Sequence, residues 1–425
     1  MRLVARLICC ALLIGVVPAE AQLRGHGGPI RALAISADGA TALSGSFDTS
    51  AIRWSLQRNT ADQVLRFHEG AVNAVAIFGD GRAVTAGEDA RIAIWTPGKP
   101  EPDTILEGHE GPIVALAVSP DGRTLASASW DRTIRLWPLM GGAPLVLEGH
   151  QQNVNGVAFS PDGEAVVSAG YDATLRIWPR QKQDSPVVAV LPTPLNAVVV
   201  APDGEIAAAG ADGKVYFLAP AGERRGAVEV SATPILSLAI SRNGGRIAAA
   251  SIGRVAIIDR KTRTLGHVLN GPGMPVWSVA FLPDNRTLLT GGADRLIRRW
   301  DCETGEPIGA VTTGGSEDPL AAYTGDPGAQ VFRACVACHT LEPNQGNRAG
   351  PTLHGIFGRR IATLPGYNFS AALKQLDIVW TPETLARLFE IGPASYTPGT
   401  KMPEQRIGAP EDREALVKFL ERATR

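Results

Sequence analysis

The sequence predicts a multidomain chain in which an all-β array of seven repeated sheets precedes a small C-terminal domain of different character. Three observations carry this. A reverse-turn motif recurs every 40 to 42 residues, an Asp is followed six residues later by a Trp at the same period, and beyond about Thr312 the period stops and Cys335-Val336-Ala337-Cys338-His339 appears. The length of 425 residues accommodates two to three domains at roughly 150 residues each. Lys plus Arg number 41 and Asp plus Glu 42, a formal net charge of -1, which removes the basic excess expected of a nucleic-acid partner. The 47 glycines and 31 prolines suit a protein built from many tight turns. A hydrophobic content of 44% excludes both wholesale disorder and a multi-span membrane protein.

Residues 1–21 have the three parts of an export signal: Arg2 and Arg6 in front, an apolar run from Leu7 to Val17, and Ala19-Glu20-Ala21 as a cleavage site. A mature, periplasmic chain beginning at Gln22 is expected. The apolar run is shorter than the roughly twenty residues needed to span a bilayer, so no transmembrane segment is expected in the mature chain. Cys9 and Cys10 leave with the signal, and Cys302, Cys335 and Cys338 remain.

The turn motif stands at Gly39, Gly81, Gly122, Gly163, Gly204, Gly244 and Asn285. Before each turn comes a short alternating apolar run, such as ALAIS or GVAFS. Asp or Asn followed by Gly supplies the positive-φ positions of a hairpin turn, so each unit reads as a small antiparallel sheet. The Asp-to-Trp pairs are Asp48 and Trp54, Asp89 and Trp95, Asp131 and Trp137, Asp172 and Trp178, and Asp294 and Trp300.

On these residues the array resembles the WD-repeat family of seven-bladed β-propellers. The resemblance implies a hydrogen-bonded brace of His, Ser or Thr, Asp and Trp in each complete blade. Carried over, the braces are His26, Ser44, Asp48 and Trp54; His68, Thr85, Asp89 and Trp95; His109, Ser127, Asp131 and Trp137; and His150, Ser168, Asp172 and Trp178. Blade seven keeps Thr290, Asp294 and Trp300, blade five keeps only Asp212, and blade six keeps none. Blades five and six are therefore expected to be looser. The chain after Trp300 is long enough to form an outer strand, while only a few residues precede the first Gly-His. The expectation is that blade seven completes itself, without ring closure by an N-terminal strand. By the same resemblance the propeller is a protein-docking platform. Its contact positions would be Arg31, Phe47, Trp130, Tyr171 and Trp277, with Asn73, Asn155 and Asn196 beside them.

The expected domains are a signal peptide over 1–21, the propeller over 22–312, a linker over 313–324 rich in Thr, Gly, Ser, Asp and Pro, and a last domain over 325–425. In that domain Cys335-Val336-Ala337-Cys338-His339 has the attachment pattern of a c-type haem. Two thiols three apart add to the haem vinyl groups, and the adjacent imidazole becomes an axial ligand. Further on stand Gly350-Pro351-Thr352-Leu353-His354-Gly355, Gly366-Tyr367, Trp380 and Tyr396-Thr397-Pro398-Gly399-Thr400-Lys401-Met402.

This set is similar to the small all-α class I cytochromes c of the mitochondrial type. The resemblance implies one covalent haem c, with Met402 as second axial ligand and the Pro351 carbonyl accepting a hydrogen bond from His339. Arg359, Tyr367 and Trp380 match positions that hold a haem propionate. Residues 330–334 and 411–423 would be first and last helices packed together. Leu388 or Phe389 stands where the family has a hydroxyl-bearing aromatic, Phe369 replaces a Tyr, Leu373 an Asn, and Pro403-Glu404 the aromatic lid. With only Lys374, Lys401 and Lys418 in the domain, a lysine-ringed docking face is not expected.

Cys302 reads as a packed thiol, His354 as a surface residue and His267 as an isolated histidine near an outer strand. No catalytic residue and no zinc or phosphate-loop motif is found. The expected function is one-electron transfer by a haem tethered to a docking platform, its partner being a donor or acceptor protein. Two alternatives are a propeller oxidoreductase that uses the haem as relay, and a redox sensor in which the haem controls propeller binding.

Overall fold

The structure, a computed structural model, describes residues 22–180, 185–252, 254–269, 275–309, 320–333, 335–336, 339–342, 350–365, 367, 369–400, 402 and 406–425. The expected signal peptide and most of the expected linker lie outside these residues. Seven four-stranded antiparallel sheets make up the first part. Six are formed by consecutive strands, from Ile30–Ile35 with Thr41–Ser46, Ser50–Ser55 and Thr60–Arg66 to Ile235–Ile240 with Arg246–Ser251, Val255–Asp259 and Thr264–Leu269. The turn glycines Gly39, Gly81, Gly122, Gly163, Gly204 and Gly244 all have positive φ, as does Asn285, so the periodic motif makes the hairpins it was expected to make. Apolar residues from adjacent sheets form the cores between blades, such as Val72, Val75 and Trp95 with Leu43 and Leu65.

The seventh sheet corrects the expectation about closure. Its inner three strands are Val276–Phe281, Thr287–Gly292 and Leu296–Asp301, but its outer strand is Gln22–Arg24. Gln22, Leu23 and Arg24 pair with Arg298, Ile297 and Leu296. The reason is chemical. Leu23 is 1% exposed and joins a cluster with Ile30, Ile52, Trp54 and Ile297, whereas among the described residues the chain after Asp301 turns at Gly305 and meets the same strand farther along, at the bridge from Trp300 to Pro307. A Cβ on Gly25 would stand 2.7 Å from the Trp54 ring, so glycine lets the closing strand pass directly into blade one.

All four complete braces form. In the third, Trp137 Nε1 donates to Ser127 Oγ at 2.8 Å, the Ser127 hydroxyl meets His109 Nε2 at 2.7 Å, and His109 Nδ1 meets Asp131 at 2.6 Å. An indole N–H can only donate and a carboxylate can only accept, so Trp137 donates to the serine and His109 Nδ1 donates to Asp131. Where the brace is absent, other pairs stand in. Tyr216 donates to Asp212 in blade five, Asp294 pairs with the buried Arg298 in blade seven, and buried Glu205 of blade five receives Arg260 of blade six at 2.9 Å and Arg263 at 3.0 Å.

These braces predict a pH dependence. Burial lowers the His150 imidazole from its ordinary 6.5, outweighing the opposite pull of Asp172. Burial works to raise the Asp172 carboxyl, but hydrogen bonds from Thr174 and Gln151 and the His150 contact hold it below 3.8. Both groups bind protons more readily when unfolded, so their contribution is present above the unfolded values and lost as pH falls through the lowered ones. Thermal melts are expected to stay level above pH 6.5, decline below it, and decline again in the carboxylate range. His150→Gln should weaken the first decline, and an equal decline in that variant would refute this account.

The C-terminal part is helical: α1 over Pro327–Phe332, α2 over Ala371–Lys374, α3 over Pro382–Ile391, α4 over Pro393–Tyr396 and α5 over Pro410–Ala423. α1 starts earlier than expected because Asp326 caps it, accepting from the N–H groups of Gly328 at 2.8 Å and Ala329 at 3.2 Å. α1 and α5 pack as expected. A Cβ on Gly328 would lie 2.0 Å from the Ala415 carbonyl, so this glycine sets how closely the helices approach. No helix among the described residues is long and apolar enough to cross a membrane.

Candidate functional site

A cavity of about 330 Å³ is lined mostly by the helical domain, with residues of the propeller at one side. Its construction begins with the α1–α5 pair, whose core is Phe332, Leu416, Phe419 and Leu420. The chain leaving α1 continues in a helical sense, the Cys335 N–H donating to the Phe332 carbonyl at 2.7 Å and that of His339 to the Cys335 carbonyl at 3.0 Å. Cys335 is buried and lines the cavity with His339. Cys338 lies outside the described residues.

His339 is held from two sides. Its Nδ1 lies 2.8 Å from the Pro351 carbonyl, which can only accept, so Nδ1 carries a hydrogen. Beneath the ring, a Cβ on Gly350 would lie 2.4 Å from His339 Cε1. Only glycine fits there, and the imidazole plane is fixed by that contact.

The opposite loop brings Met402 to the same cavity. Met402 N–H donates to Thr400 Oγ1 at 3.1 Å, Ser370 Oγ donates to the Gly399 carbonyl at 2.9 Å, and Gly399 takes the positive φ of +80 that the turn needs. Leu353, Leu373, Leu388 and Phe389 supply apolar wall. Arg359, Tyr367 and Trp380 also line the cavity. The Arg359 guanidinium donates to the His354 carbonyl at 3.2 Å and the Thr352 carbonyl at 3.1 Å, and burial lowers its pKa. Trp380 is tied into the same segment through its backbone, donating to the Arg359 carbonyl at 3.0 Å. An imidazole, a thioether, a buried thiol, apolar walls and a polar rim fit a haem.

The family model for cytochrome c matches residues 325–424. Cytochromes c of Cochliobolus lunatus and Arabidopsis thaliana are each 43% identical over 99 residues, 23% of this chain and 91% and 88% of theirs. The chain belongs to the cytochrome c family. That of Ginkgo biloba is 38% identical over 106 residues, 93% of its length. The WD domain, G-beta repeat model matches residues 19–55, 60–96, 100–138, 143–179 and 261–301. The protein is thus a WD40 propeller joined to a cytochrome c domain, which carries covalently bound haem c and serves electron transfer. The two blades without a match are the fifth and sixth, in which the histidine brace is missing.

Of the residues anticipated around the haem, Cys335, His339, Pro351, Arg359, Tyr367, Trp380 and Met402 come together. One expectation needs correction. His354 is half-buried rather than a surface residue, its Nδ1 enclosed without a partner among the described residues. Pro403 and Glu404, expected at the haem edge, lie outside the described residues. Sequence reasoning quoted Gly350 only as part of a motif. Its role as the floor under His339 appears only once the two segments meet.

On the propeller, Phe47, Trp130 and Tyr171 are 44%, 45% and 46% exposed. Yet the rings also pack. Phe47 meets Trp277 at 5.2 Å between centroids, and Trp130 Nε1 donates to Asn155 at 3.1 Å. Arg31 and Trp277 are half-buried, and burial lowers the Arg31 guanidinium against the pull of Glu88. Arg31, Asn73, Asn155, Asn196 and Trp277 share a feature that sequence reading missed. Each is the residue at which its inner strand bulges, and a bulge re-aims the side chain it carries. Cys302 is a packed thiol, 3% exposed and pushed up to about 12 by burial. His267 is exposed on the outer strand Thr264–Leu269. No group of three or more His, Cys, Asp or Glu that could hold a further metal occurs among the described residues.

Proposed function

We propose that the protein is an exported, periplasmic one-electron carrier whose haem c is joined to Cys335 and Cys338, bound axially by His339 and Met402, and tethered to a WD40 platform that docks its redox partner. The observation that carries this reading is the His339 geometry: Nδ1 donates to the Pro351 carbonyl, and the ring lines the same cavity as Met402 and Cys335. When bound, the haem supplies an Fe(III)/Fe(II) couple.

The chain's own residues hold that couple in place. The Pro351 carbonyl makes the His339 nitrogen a better donor, and a Met402 thioether raises the potential relative to a second imidazole. Leu353, Leu388 and Phe389 give the cavity an apolar wall. With both axial positions filled by the chain, no site remains for a substrate. Export rests on the tripartite pattern of residues 1–21. Tethering raises the carrier's effective concentration beside a docked partner to the order of millimolar.

The test is the visible spectrum of protein matured in a bacterial periplasm, reduced without oxygen, before and after carbon monoxide. One covalent low-spin haem indifferent to the gas is expected. A gas-induced shift means an open iron and overturns the carrier reading in favour of a sensor or an oxidoreductase.

A further inference from the structure

The haem cavity is not walled by the cytochrome domain alone. Arg66, the last residue of the outer strand of blade one, reaches it together with Phe67. The Arg66 guanidinium carbon lies 5.3 Å from the centroid of the Tyr367 ring, so the cation stacks on one of the residues at the cavity rim. Its Nη1 is enclosed and has no hydrogen-bond partner among the described residues. A buried guanidinium N–H without an acceptor is unfavourable. The cytochrome-side cations that line the cavity are already engaged, since Arg359 spends Nη1 and Nη2 on the His354 and Thr352 carbonyls and Arg360 pairs with Asp377 at 3.4 Å.

We propose that Arg66 pairs with a propionate of the haem, so that the propeller contributes a residue to the haem site and the cofactor fastens the two domains together. This inference rests on the haem reading of the same cavity. A carboxylate is the acceptor that a guanidinium fork matches best. Stacking on Tyr367 holds the fork in plane, and partial burial leaves the charge poorly screened by solvent. A fixed cation beside the haem favours the reduced state, because reduction lowers the positive charge on the iron. The contact thereby couples the potential to domain docking. A partner that displaces blade one from the haem domain would lower the potential.

The test uses the full-length holoprotein with Arg66→Gln, Arg66→Lys and Arg66→Glu. Arg58→Gln serves as control, at an exposed arginine paired with Asp62. The midpoint potential is read by spectroelectrochemical titration, and linker docking by the rate of proteolysis within residues 313–324. Arg66→Gln is expected to shift the ferric-to-ferrous balance toward ferric about three- to tenfold, about 30 to 59 mV for one electron. Arg66→Glu should shift it further and speed linker cleavage, while Arg66→Lys retains most of the potential. A midpoint in Arg66→Gln equal to that of the wild type and of Arg58→Gln overturns the pairing. The low-spin bands and their indifference to carbon monoxide are recorded on the same samples. Loss of those bands in the wild type would refute the haem ligation, and their persistence with an unmoved potential would refute Arg66 alone.

Discussion

Met402→Ala is expected to leave the haem attached and to open the iron to exogenous ligands. The two thioether links do not depend on the sixth position, so the reduced spectrum should still show one covalent haem, now shifted by carbon monoxide. The loop that carries residue 402 keeps its anchors, the Thr400 hydroxyl and the Ser370 hydrogen bond to Gly399, so an alanine cannot pull the cavity closed. Axial ligands set haem potentials over a range of about 0.8 V, and loss of the thioether should lower this one by about a few tenths of a volt. A spectrum that stays indifferent to carbon monoxide in Met402→Ala would remove Met402 from the coordination sphere. The ligand would then have to come from another side chain of the cavity wall.

Removal of the closing strand has the second large effect. Leu23→Ala takes a side chain that is 1% exposed out of the cluster with Ile30, Ile52 and Trp54, a loss of about 2 to 5 kcal/mol. Deleting residues 22–24 costs more, because Leu296–Asp301 then presents an unpaired edge along all three of its pairings and blade seven is left with three strands. Such an edge templates association with other chains. Chemical denaturation followed by circular dichroism should give an earlier midpoint for Leu23→Ala and a still earlier one for the deletion. Size-exclusion chromatography should show oligomers for the deletion. An unchanged midpoint in both would mean that another segment fills the outer position of blade seven. Leu23→Ile, which keeps the apolar volume, should stay near the wild type.

Most of the propeller was legible in the sequence because its determinants are local. A hairpin turn needs positive φ at one position, and Asp-Gly or Asn-Gly marks it; a brace needs four residue types at spacings short enough to lie within one repeat. The haem-binding segments were legible for a related reason. Cys335, Cys338 and His339 lie within five consecutive residues, and Pro351 and Met402 belong to short motifs with little freedom of composition.

What escaped the sequence depends on partners far apart in the chain. The closing strand pairs Leu23 with Ile297. Neither residue carries a motif, and the place of Gln22–Arg24 at the outer edge of blade seven is decided by Leu23 burial. The bulges in the inner strands redirect Arg31, Asn155 and Trp277 through a change of register that residue identity does not encode. Arg66 has no pattern of its own. Only the docking of blade one on the helical domain puts its guanidinium over Tyr367, where an unpaired buried N–H gives it a chemical role. Turn and attachment chemistry is determined by neighbours in sequence, where composition suffices; closure and the full haem environment are determined by which distant surfaces exclude water together, and tertiary packing alone decides that.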